Sequence, residues 1–184
     1  VELMEPDEIL QIIEKGCIAL NISMDKDVKD EIVKYTNGLA AICHKLCYLM
    51  CKSGGADRTE EDKINFTFEE LQIALNDYVK DEEDTIKDAF DSALKLPKAE
   101  TTLRILASQD IEGAHIDDLF QWSKDNTART TKKKLAEDLS KLEQEDFGEL
   151  VKYEESSGKY SFLDPFYLSF CMAYFQEKDA KLKR

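Results

Sequence analysis

Residues 126–175 constrain this chain more than any other stretch. They open with NTARTTKKKLAEDLSKLEQEDF, in which Ala128, Leu135, Leu139 and Leu142 share one helical stripe while Arg129, Lys133 and Lys134 fall largely outside it. The spacing predicts an amphipathic helix from about residue 127 to 145. GELVKYEESSGKYSFLD follows, with β-prone runs at 150–153 and 159–163 on either side of a polar loop whose Gly158 supplies a positive φ. A hairpin is expected there. Asp164 and Pro165 then fit an N-cap followed by Pro at the first helical position, opening the aromatic helix PFYLSFCMAYFQEKDAKLKR.

The sequence upstream supplies two more helices. ETTLRILAS has helical spacing at Leu103, Ile105 and Leu106, and IDDLFQW gives a short helix after a turn at Gly113. Three helices followed by a hairpin and a packing helix resemble a winged-helix domain, with the hairpin as wing and the helix from residue 127 as the recognition helix.

At 184 residues with 42% hydrophobic content the chain suits one or two small domains with proper cores. Its net charge of −14 argues against a dedicated nucleic-acid binder, whose footprint is normally basic. The charge is uneven, though. Residues 1–95 hold 11 Lys+Arg against 22 Asp+Glu, whereas residues 96–184 hold 14 against 17 and contain the basic cluster. The first residues are acidic and no apolar run approaches the roughly 20 residues of a membrane span, so a soluble, cytoplasmic protein with no membrane contact is expected. Five cysteines in apolar helical contexts fit reduced thiols. A chain opening at Val1 reads as a fragment whose catalytic part lies elsewhere.

The first half reads as a helical bundle. PDEILQIIEKGCIALN puts Ile9, Ile12, Ile13 and Cys17 on one face, and Asp25 opens a second helix with Val28, Ile32, Val33 and Tyr35 as its apolar positions. Thr36, Asn37 and Gly38 break the pattern with residues that tolerate the left-handed conformation. A nearly all-apolar helix, LAAICHKLCYLMCK, follows and belongs in the middle of a bundle. After a polar loop, Thr67 and Glu70 offer a capping box for a fourth helix. The acid run 81–84 reads as a solvated turn, a fifth helix covers 85–94, and Pro97 marks a domain boundary.

A helical bundle joined to a winged helix points to a family. DVKDEIVKYTNGLAAICHKLCYLM resembles the lid, or sensor-2, segment of AAA+ and STAND P-loop ATPases, archaeal-ATPase and origin-recognition-like members among them, in which a helix ends at a Ser/Thr-x-Gly turn before an apolar helix. In those proteins a winged helix comes next and often ends in a Tyr-x-Phe/Leu-x-Asp-Pro signature, here Tyr160, Phe162, Asp164 and Pro165. The resemblance implies that Thr36, Asn37, Gly38 and Leu39 lie on the nucleotide side. The chain departs from the family at two points: Leu39 stands where many members have Pro after the turn, and the apolar helix carries no Arg. No G-x-x-x-x-G-K-[ST] occurs, so no cofactor is expected in this chain, whereas ATP or ADP with Mg is expected for a parent protein.

Other groups take structural readings. Cys43, Cys47 and Cys51 recur every four residues beside His44, a spacing that could grip Zn²⁺, but their apolar flanks read as core and no metal site is expected. His115 has no catalytic partner at a telling spacing, and no catalytic residue is expected. The basic cluster can be read as no more than a solvated, Lys-rich helix face, or as a binding surface of one of two kinds. Thr127, Arg129, Thr130, Lys132, Lys133 and Lys134, with Lys159 in the wing, could meet a protein partner or the phosphates of duplex DNA.

The expectation is therefore a mainly α chain with a helical lid at residues 1–95 and a winged helix at residues 96–184, the non-catalytic regulatory part of a P-loop ATPase. Its implied partners are an N-terminal ATPase core and a protein met by the winged helix. The rival is a DNA-binding winged helix using residues 127–145, and a third reading is a structural adaptor unrelated to any ATPase.

Overall fold

The computed structural model describes residues 3–182 except 57, 60, 82, 83, 127 and 129. They are mainly α and fall into two compact units, one of residues 1–81 with 172–184, the other of residues 82–171. Among the described residues no helix is long and apolar enough to cross a membrane.

The first unit begins with α1 (Pro6–Leu20), whose acidic first turn suits the helix dipole. Glu8 accepts a hydrogen bond from the Glu5 backbone at 2.9 Å. Asn21, left-handed at φ 55°, ends the helix and feeds β1 (Ile22–Met24). Then come α2 (Lys26–Thr36), α3 (Ala40–Gly54), β2 (Ile64–Phe66) and α4 (Phe68–Asp81). The two strands pair in parallel, with Ile22 opposite Ile64 and Met24 opposite Phe66. Three-residue strands fall below what alternation can reveal in a sequence, and neither was expected.

The apolar faces of these helices make one core. Ile9 and Ile13 of α1, Ile32 of α2, Leu46 and Met50 of α3, and Leu71 and Leu75 of α4 are all buried. Half of the expected capping box at α4 is present: Glu70 Oε2 accepts from the Thr67 amide and hydroxyl, each at 2.7 Å, while the Thr67 hydroxyl oxygen accepts from the Glu69 amide at 3.1 Å.

The second unit contains α5 (Asp84–Leu94), α6 (Ala99–Ala107), β3 (Ala114–His115), α7 (Ile116–Asp125), α8 (Lys132–Leu142), a 3-10 turn (Glu145–Phe147), β4 (Val151–Glu154) and β5 (Lys159–Phe162). The three strands form an antiparallel sheet in the order β3-β5-β4. The expected hairpin is β4 and β5, with Val151 opposite Phe162. The final helix α9 (Pro165–Leu182) starts as the sequence suggests, with Asp164 Oδ1 accepting from the Phe166 amide at 2.8 Å.

Residues 82–95 lie in the second unit, and residues 172–184 in the first. Packing explains where α5 lies. Phe90 meets Phe170 edge to face at 5.3 Å, and the Ala89 backbone lies directly against Gly148 after the 3-10 turn.

The helix that carries the basic cluster is shorter than its pattern suggests. It begins at Lys132, because Thr131 takes an extended conformation and its hydroxyl accepts the Lys134 amide at 3.2 Å. An N-cap at Thr131 leaves Ala128 and Thr130 outside the helix.

Candidate functional site

The first turn of α8 presents three consecutive lysines, each facing an acid of the same unit. Lys132 pairs with Asp117 in the first turn of α7. Lys133 reaches Glu137 at 3.9 Å, one helical turn along, and its side chain is 89% exposed. Lys134 pairs with Asp138, whose side chain is only 2% exposed. In the hairpin, the half-buried Lys159 ammonium turns to Glu112 at 3.4 Å. The four described lysines of the predicted cluster are therefore each matched locally by a carboxylate.

The segment ahead of α8 is organised by its own backbone. Ala128 donates to the Ser123 carbonyl at 2.8 Å, and the Thr130 hydroxyl donates to the Thr131 carbonyl at 3.4 Å. Thr127 and Arg129 lie outside the described residues. The i, i+4 spacing of Lys133 with Glu137 and of Lys134 with Asp138 could have exposed two of these pairs in the sequence. Nothing local signals the partnership of Lys132 with Asp117, which depends on how α7 and α8 pack.

The hairpin beside this face is braced at its loop and on its edge strand. His115 Nδ1 lies 3.0 Å from the Gly158 carbonyl in the loop, and Glu143 accepts the Tyr153 amide at 2.6 Å on the edge strand β4. His115 thus holds the loop, a role its sequence neighbourhood does not indicate.

The second candidate is the turn between α2 and α3. Thr36 is fully buried and its hydroxyl donates to the Val33 carbonyl at 2.6 Å. Leu39 is also buried, with its amide on the Thr36 carbonyl at 2.8 Å. Asn37 and Gly38 take left-handed conformations at φ 47° and 77°. A Cβ on Gly38 would stand 2.8 Å from the Met4 carbonyl oxygen, so the incoming chain lies across the turn, held by the Met4 amide on the Gly38 carbonyl at 2.9 Å. Asn37 Nδ2 meets the Tyr35 carbonyl at 3.3 Å and the Met172 sulfur at 3.5 Å. Two of the four predicted residues are thus buried in the core and a third is covered.

The cysteine stripe of α3 is part of the core on one side. Cys43 is fully buried, while Cys47 and Cys51 are half-buried. A hydrogen bond to Cys43, reinforced by burial, pushes the Cys47 thiol far above its usual range, and burial also raises Cys51 and Cys17. His44 is exposed. Among the described residues no group of three or more His, Cys, Asp or Glu side chains is placed to hold a metal ion.

No protein-family model, no curated protein and no solved structure matches this chain.

Proposed function

We propose that the chain is the regulatory part of a P-loop ATPase, with residues 1–81 acting as a helical lid and residues 82–171 as a winged-helix module that contacts protein. The observation that carries this reading is the element order of the second unit. Helix, short strand, helix, capped helix and hairpin follow one another, and the first strand joins the hairpin in a sheet of order β3-β5-β4. The first unit supports it with a helix ending in two left-handed residues, Asn37 and Gly38, before an apolar central helix.

The α2–α3 turn does not fit direct nucleotide contact. Thr36 and Leu39 are buried, Gly38 is covered by Leu3 and Met4, and α3 offers no Arg. On this reading the lid follows the state of an ATPase core through packing. A switch of this kind needs the core to favour one lid arrangement when nucleotide is bound, because only differential affinity shifts an equilibrium. The paired lysines of α8 support a protein partner over DNA: a phosphate would first have to displace Asp117, Glu137 and Asp138.

DNA binding has one observation in its favour, the exposure of Lys133 and Lys132 at a helix N-terminus. The proposal is tested by extending the coding sequence upstream and following backbone hydrogen exchange in the extended protein. A G-x-x-x-x-G-K-[ST] motif upstream, with exchange of the α2–α3 turn that differs between ATP and ADP, is the expected result. An upstream sequence without a phosphate loop, or exchange indifferent to nucleotide, would overturn it.

A further inference from the structure

Between α1, α3 and β1 the first unit holds an apolar cleft of about 840 Å³. Ile12, Ile13, Leu20, Ile22, Cys47 and Cys51 provide its walls. That volume lies in the range of small-molecule pockets, roughly 300–1,000 Å³.

Among the described residues the charges lining the cleft are one-sided. The chain has 39 acidic residues among 184, yet none of the described ones lines it. Its ionisable lining groups other than thiols and Tyr48 are Lys15, His44 and Lys52, all exposed. Among the described residues neither Lys15 nor Lys52 has a carboxylate partner, whereas Lys26, Lys29, Lys34 and Lys45 of the same unit are each paired. The nearby Glu14 is turned to Lys29 at 3.5 Å. Two ammonium groups with no carboxylate partner among the described residues, beside an apolar cleft, make a site complementary to an anion with an apolar body.

Gly16 adds an independent observation. It lines the cleft from within α1, where a glycine costs roughly 0.5–1 kcal/mol relative to Ala. A Cβ there would meet nothing within 4 Å, so no packing inside the chain requires its absence.

We propose that this cleft binds a small single-chain amphipathic anion, its apolar chain lying between α1 and α3 and its charged head meeting Lys15 and Lys52. Calorimetric titration with dodecanoate below its micellar concentration tests the proposal, with dodecyltrimethylammonium as the same chain under the opposite charge. One saturable dodecanoate site with a Kd below about 100 µM is expected. The ammonium compound should bind at least about tenfold more weakly, and Lys15→Glu with Lys52→Glu should weaken dodecanoate by a similar factor. Gly16→Leu, which fills the cleft and raises helix propensity, should abolish binding, and bound dodecanoate should slow alkylation of Cys51. Both lysines are exposed, so the double charge reversal is informative even if Gly16→Leu fails to fold. Absence of saturable binding, equal binding of the two head groups, or binding indifferent to the lysine reversals would overturn the proposal.

Discussion

Lys134 reaches one turn along α8 to the carboxylate of Asp138, a side chain only 2% exposed, so the third lysine of the basic cluster serves the interior of its own unit. Its neighbours Lys132 and Lys133 pair with exposed acids, and such pairs contribute little to stability.

The three lysines should therefore respond differently to truncation. Lys134→Ala leaves a buried carboxylate without its cation and should cost about 1–3 kcal/mol in denaturant unfolding. Lys133→Ala should change stability by less than roughly 0.5 kcal/mol. Equal losses from both would show that the Asp138 pair carries no special weight.

Gly148 should be irreplaceable for a reason that Gly55 does not share. Both take positive φ, 83° and 74°, so an alanine at either costs roughly 1–2 kcal/mol in the left-handed region. At Gly148 the new Cβ would also stand 2.0 Å from the Ala89 carbonyl oxygen, while at Gly55 it meets nothing within 4 Å. Unfolding of Gly148→Ala should show a clearly larger loss than Gly55→Ala, because backbone must move as well.

Periodicity made most of the helices legible in the sequence. The apolar spacing of Ile9, Ile13 and Cys17, the Asn37-Gly38 stop, the Thr67–Glu70 box and the Asp164-Pro165 start each rest on interactions within one helical turn or one tight turn. What stayed hidden depends on distant residues. The parallel pairing of Ile22 with Ile64 joins short strands 42 residues apart, and the start of α8 depended on whether Thr131 or a residue before it would take the cap. At the candidate site, the lysines were visible but their neutralisation by Asp117 and Glu112 was not, since both pairs cross between elements. The cleft of the first unit could not be read from the sequence either, because packed and unpacked apolar residues look alike in a linear chain.

Glu70 gives a pH-dependent contribution with a definite sign. Its slight burial raises the carboxyl pKa, but hydrogen bonds from the Thr67 amide and hydroxyl outweigh that and hold it below the usual Glu range. A carboxyl depressed in the folded state stabilises the fold above the unfolded pKa of about 4.3, and that contribution is lost as pH falls through the lower folded value. Glu70→Gln should thus destabilise the protein at pH 7, and the difference from the parent chain should shrink as pH falls below about 4.3 and vanish below the lower folded value. A difference constant with pH would contradict the capping assignment.

The thiols should divide by burial. Cys171 is fully buried and burial raises its thiol well above the ordinary range, so it should resist alkylation until the protein unfolds. Cys51 is half-buried with a raised pKa, and should react in the native state at a rate that still climbs above pH 8.5. Residue-resolved mass spectrometry after timed alkylation checks both.

On the proposed reading the α8 face meets protein and not DNA, because the chain's own acids occupy its lysines. A fluorescence-anisotropy titration with a mixed-sequence duplex at about 50 mM and 200 mM salt tests it most directly. The account predicts no saturable binding up to about 100 µM protein at either salt, the upper end of ordinary non-specific affinity. Micromolar binding that falls steeply with salt, and that Lys132→Ala with Lys133→Ala weakens, would contradict it and make the α8 face a DNA-reading surface.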